Sequence, residues 1–174
     1  MPQTAQRPNI IYVIVHDIGQ HIGCYGAGVS TPNLDQLAAN GVQFNNYHCT
    51  AAQCSPSRAS IMTGRYPHQN GEMGLAHLGW QFNFGEKTLP MYMNEAGYQT
   101  HLFGHQHEHS DASGLGYQHI HSPQKNAAKQ VTAELIEFLR AYAGSPGEQP
   151  LHICAGFGEP HRPYQREGYP KDDA

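Results

Sequence analysis

The run Cys54-Ser55-Pro56-Ser57-Arg58-Ala59-Ser60-Ile61-Met62-Thr63-Gly64-Arg65 concentrates more reactive chemistry than any other stretch of the chain. A thiol stands just ahead of a proline suited to the first position of a helix. Ser55 is placed to cap the N–H groups that a helix start leaves unpaired, and Gly64 to end the helix two turns on. A cysteine there sees the positive end of the helix dipole, and so does any anion bound beside it. Arg58, one turn in, can fold back over that anion. These types and spacings describe a nucleophile next to an anion site. The bland alternative is a buried cysteine at a capped helix start.

Three other segments offer partners. Asn9 to Val15 is a continuous apolar, β-branched run, expected to be a central parallel strand buried on both faces, and it ends in His16-Asp17. Tyr98 to Phe103 reads as a strand running into Gly104-His105-Gln106-His107-Glu108-His109, whose three histidines at alternate positions would share one side of an extended segment. Leu151 to Phe157 reads as a short buried strand ending in Gly158-Glu159-Pro160-His161-Arg162-Pro163-Tyr164. In open α/β sheets ligand groups gather at the carboxyl ends of strands. His16 and Asp17 are therefore candidate metal ligands, and the fold class expected is α/β, a mostly parallel central sheet flanked by helices.

The connecting elements follow. Thr31-Pro32-Asn33-Leu34-Asp35-Gln36-Leu37-Ala38 reads as a helix stopped at Gly41, and Val42 to Cys49 as a second strand. Tyr66 to His77 is too glycine-rich for a regular element and reads as a functional loop. Trp80, Phe82 and Phe84 beyond it are expected to pack the loop, with stacking on a sugar ring as the alternative role. Thr88 to Gly97 reads as a capped helix, Ser110 to Ser122 as a polar loop and Asn126 to Tyr142 as the longest amphipathic helix. Residues 1–8 form a polar lead, 9–164 the domain and 165–174 a polar tail.

A chain of 174 residues is long enough for one domain with a proper core. The net charge of −4, with no basic run, argues against nucleic acid as a partner. No apolar run approaches membrane-spanning length. Thirteen histidines outnumber the ten lysines and arginines, so charge would change steeply near pH 6–7 wherever they are exposed. His68, His119 and His121 are expected to be scattered surface residues. The four cysteines show no pairing pattern that calls for disulfides. The compartment expected is cytoplasmic, or periplasmic or secreted if a leader has been removed.

Cys54-x-Pro56-Ser57-Arg58 followed by Thr63-Gly64-Arg65 resembles the signature of the type I sulfatases, of the alkaline phosphatase superfamily. Thr31-Pro32-Asn33-Leu34-Asp35-x-Leu37-Ala38 is similar to a string at the same place in that family. His68-Gln69-Asn70-Gly71 with Gly74-Leu75 is similar to a loop of the heparan N-sulfatases, a hint of a sulfated sugar substrate. The resemblance implies that Cys54 is oxidised to formylglycine by a dedicated generating enzyme, and that a divalent metal, generally calcium, is bound by Asp17, His16 and the formylglycine. It implies hydrolysis of sulfate esters or sulfamates. The hydrated aldehyde would attack sulfur and then expel sulfate, Arg58 would steady the diol, and His107 would position or transfer a proton. His161 would assist at the sulfate or leaving group, with Arg162 beside it in substrate binding.

Two positions depart from the family pattern. His16 stands where a first aspartate is usual, and imidazole suits a transition metal better than calcium. His105 stands where a sulfate-binding lysine is usual, so its anion contact would need a raised pKa and would weaken in alkali. The resemblance covers only the front of a longer family domain, so a truncated domain with weak or no activity alone is expected. A phosphonate or phosphate ester hydrolase of the same superfamily, and an inactive metal-binding remnant, are the alternatives.

Overall fold

The computed structural model describes residues 7–121 and 127–162. Four parallel strands form one sheet: β1 (Ile10–Val15), β2 (Gln99–Gly104), β3 (His119–His121) and β4 (Leu151–Phe157), in the order β1-β4-β2-β3. Among the described residues five helices accompany them: α1 (Pro32–Ala39), α2 (Cys54–Thr63), the short α3 (Pro67–Asn70), α4 (Leu89–Glu95) and α5 (Ala128–Gly144).

Side-chain alternation along the strands builds two cores, one on each face. Leu102 and Cys154 join Met62 of α2, Leu115, Tyr117 and Leu89 of α4. Phe103, Leu151, Ile153 and Ala155 pack against Val131, Leu135, Phe138 and Leu139 of α5. Complete burial of Phe103 or Ile153 contributes about 1.5–3 kcal/mol each. The central strands are β4 and β2, sandwiched between helices as a parallel sheet requires.

Several expectations change. The Asn9–Val15 run is an edge strand: β1 pairs only with β4, and Ile11 and Val13 are 47% and 51% exposed. Its apolar character has no second neighbour to cover it among the described residues. Val42 to Cys49 forms no strand; Val42, Phe44 and Tyr47 lie exposed, because no partner ladder reaches them. Helix α2 begins at Cys54, so Pro56 is third rather than first, still within the turn where a missing N–H costs nothing. Ser55 does not cap it; its hydroxyl accepts the Ala76 N–H at 3.1 Å. The loop after α2 contains α3 and a 3₁₀ turn at Ala76–Leu78. The polar loop from Ser110 contains a 3₁₀ turn, Ala112–Leu115, and the whole of β3. The remaining boundaries move by a residue or two, with Asn126, residues 1–6 and residues 163–174 outside the described set. The cysteines are free.

His119 is exposed at the surface as expected, whereas His121 is partly buried; both rings stack on the buried His101, which contacts His121 nitrogen to nitrogen at 3.0 Å. Phe84 is fully exposed and Trp80 is partly exposed against Gly74, whereas Phe82 packs on the core as expected.

Candidate active site

Parallel strands put all their carboxyl ends on one side, and this brings distant histidines together. His16 and Asp17 follow β1, His105 and His107 follow β2, and His161 follows β4. The His16 ring lies 5.3 Å from His105 and 4.5 Å from His161. His105 and His107 are 5.8 Å apart. The His16 N–H donates to the Glu159 carbonyl at 3.0 Å, tying the ends of β1 and β4, while the Glu159 carboxylate accepts the first helical N–H of α5.

Two glycines let His105 approach this closely. Gly104 has φ of 73°, and the His105 N–H donates to the Gly156 carbonyl at 2.8 Å. A Cβ on Gly156 would overlap the His105 carbonyl. Only a residue without a side chain permits that crossing.

Helix α2 points its first turn at the cluster. Cys54 Sγ lies 3.1 Å from His107 Nδ1, and His107 Nε2 lies 2.9 Å from His77 Nδ1, the two rings stacked. Asn70, fully buried, donates to Thr63 Oγ1 and to the Arg65 carbonyl and accepts from the Glu72 N–H, which holds the loop carrying His77 against α2. A cleft of about 460 Å³ opens here, with His16, Asp17, Cys54 and Arg58 in its wall. Cys54, His16, Asp17, His105, His107 and His161 thus converge. Arg162 lies exposed beyond His161.

Three details differ from expectation. Arg58 turns inward rather than out over an anion: Nη2 is 3.0 Å from Glu108 Oε1 and donates to the His105 carbonyl at 3.3 Å. Burial opposes its charge, but the Glu108 carboxylate more than offsets that and holds the guanidinium above its ordinary pKa. His109 does not share a side with His105 and His107; the segment turns after Gly104, and His109 bonds the Asp111 carbonyl and stacks on Phe82. His105 is not held protonated. Burial, then Arg58 and the neighbouring imidazoles, push it down to about 3, so it presents a neutral ring at pH 6–8. Burial likewise lowers His16 and His107.

Sequence reasoning missed Glu108 and His77. Glu108 Oε2 accepts the His107 N–H at 2.6 Å, so one carboxylate holds both Arg58 and the backbone of His107. A charged residue between two histidines was the available signal. His77 carried none until folding set it beside His107.

The donors among the described residues do not fit calcium: that ion takes roughly six to eight oxygens, and among those residues Asp17 is the one carboxylate in the two groups of donors, His16-His105-His107 and His16-Asp17-His161. Cys54 belongs to neither group.

The Sulfatase family model matches residues 8–174, and the chain belongs to the sulfatase family. This family generally uses formylglycine and a divalent metal. The chain is 37% identical over 124 residues to the N-acetylglucosamine-6-O-sulfatase of Bacteroides thetaiotaomicron, covering 70% of this chain and 22% of that protein. It is 29% identical over 164 residues to human N-sulphoglucosamine sulphohydrolase, covering 91% and 32%. Among solved structures, a protein in complex with its substrate D-glucosamine-2-N,6-O-disulfate superposes with a TM-score of 0.70 at 28% identity, covering 90% of this chain and 35% of that one. The phosphonate monoester hydrolase of Agrobacterium radiobacter, at 21% identity and a TM-score of 0.68, shares the fold. The chain spans a fifth to a third of the curated relatives' length.

Proposed function

We propose that this chain carries the nucleophile-bearing part of a sulfatase that removes sulfate from a sulfated glucosamine. The observation that carries the reading is the meeting of Cys54, at the start of α2, with His107 at 3.1 Å and with Asp17 across one cleft. The substrate class comes from the relatives, two of which are named for sulfated glucosamines and a third was solved with one.

Cys54 suits conversion to formylglycine by the generating enzyme, since it lines an open cleft and has an imidazole in hydrogen-bond reach. Formylglycine supplies a hydrated aldehyde whose hydroxyl is a nucleophile toward sulfur. His107 Nδ1 faces residue 54 and positions the group there, with His77 fixing its ring from the other side. The N–H groups opening α2 favour an anionic sulfate beside them. Arg58 and Glu108 hold the His105–His107 segment in place rather than adding net positive charge. His161, whose Nε2 lies 3.8 Å from Asp17 at the open side, is the residue this reading assigns to the leaving group.

The test is co-expression of the chain with the formylglycine-generating enzyme. Peptide mass spectrometry then reads residue 54, and sulfate release is followed from glucosamine bearing N- or 6-O-sulfate, with a phosphonate monoester in parallel. Aldehyde at position 54, with whatever sulfate release the chain shows lost in Cys54→Ala, is the expected result. A thiol that stays unconverted, or release that persists in Cys54→Ala, refutes the reading. Faster phosphonate than sulfate cleavage would transfer it to the phosphonate hydrolases.

A further inference from the structure

We infer that the ion of this site is a divalent transition metal of the zinc class, held by the imidazoles of His16, His105 and His107. This deepens the sulfatase reading by fixing the metal at the same site, and departs from the calcium that the motif resemblance implies.

Four observations support it. The ligand nitrogens of these three residues lie within 4.8 Å of one another, close enough for modest ring rotations to bring them around one ion at about 2.0–2.1 Å. All three are neutral donors of the borderline-soft kind that zinc, cobalt and nickel favour over calcium. His105 Nε2 is buried without a hydrogen-bond partner, and a buried orphan of that sort costs about 1–3 kcal/mol unless something satisfies it. The outer contacts are those that orient metal-bound imidazoles. His16 Nδ1 is 3.0 Å from the Asp17 carboxylate, which frees Nε2 for the ion. His107 Nε2 faces His77 at 2.9 Å, which frees Nδ1 on the side of residue 54.

The other donor group, His16-Asp17-His161, is weaker as a cage. His161 is exposed and its Nε2 stands 3.8 Å from Asp17, so closing on an ion there means fixing a solvent-facing ring in place. In the assigned cage Asp17 acts behind His16, and one open position is left toward Cys54.

The experiment strips the purified chain with chelator and titrates it with zinc, cobalt and calcium ions, following heat and the visible absorption of cobalt. The expected result is one tightly held zinc or cobalt ion, absorption of the low-coordinate nitrogen-ligated type, and no displacement by millimolar calcium. His105→Gln and His107→Gln should each weaken zinc by at least about tenfold, with His161→Gln changing it little. Cys54→Ala, which cannot form the aldehyde, should bind zinc with the same preference over calcium. That arm separates this inference from the sulfatase reading, since the ion is read without turnover. Calcium held more tightly than zinc overturns the assignment. So does zinc binding that survives His105→Gln and His107→Gln, or that is lost in His161→Gln. If a histidine variant misfolds by circular dichroism, the zinc-against-calcium competition on the parent chain still decides the ion.

Discussion

Glu108→Gln is the most informative single change, because this carboxylate supports the site without facing the substrate. Arg58 is 5% exposed and Glu108 1% exposed, and their charges meet at 3.0 Å. At an effective dielectric of about 20 the attraction over that distance is roughly 5 kcal/mol. Glutamine removes it and leaves the guanidinium buried without a counter-charge. Its carbonyl can face either Arg58 or the His107 N–H, so its amide group confronts another donor on the remaining side. Breaking one partner of such a pair costs about 3–5 kcal/mol, a large share of the 5–15 kcal/mol typical of a domain. Urea denaturation of the parent and Glu108→Gln measures this directly. Glu108→Gln combined with Arg58→Met should recover roughly half of the loss, because the orphan charge is gone. A Glu108→Gln chain within about 0.5 kcal/mol of the parent would show that the ion pair does not hold the 105–108 segment.

Three further outcomes are expected. Glu72 is fully buried with both carboxylate oxygens unpartnered, and burial, then Glu108, push it up to about 7. The unfolded chain ionises first as pH rises, so Glu72 lowers stability between about pH 4.5 and 7. Glu72→Gln should therefore stabilise at pH 8 by about 2 kcal/mol and hardly at all at pH 4.5, as denaturation curves at the two values would reveal. Gly156→Ala forces a methyl into the His105 carbonyl and should cost about 1–3 kcal/mol, read as a lowered thermal midpoint; an unchanged midpoint would mean that the crossing of β4 and the 105 segment is loose. His101 is pushed down to about 4 by burial, then by His119 and His121. On acidification the unfolded chain binds this proton first, so stability is intact above about pH 6.5 and lost toward pH 4, by roughly 3 kcal/mol at most. His101→Leu should flatten the decline between pH 6.5 and 5, and a parent curve flat over that range would contradict the buried, neutral state.

The chemistry of this protein was written locally. Cys54, Pro56, Arg58 and Gly64 announce a reactive helix start, and the mostly apolar run of Leu151 to Phe157 announces a buried strand, because helix-end signals and hydrophobic runs act over a few residues. Strand order was not local. Nothing in the run from Ile10 to Val15 says that β1 would lie at an edge, since an edge and a central strand differ in what lies beside them, not in their own residues. The same applies to Val42–Cys49, strand-like in composition and left without a ladder. The partners of the site were tertiary as well. Arg58 reads as a free cation until the turn after β2 brings Glu108 under it. His105 reads as a replacement for a lysine until Gly156 lets it sink among other imidazoles, where burial keeps it neutral. Residue type set what each group can do, and the parallel sheet decided which groups meet, because only the fold determines distance and desolvation.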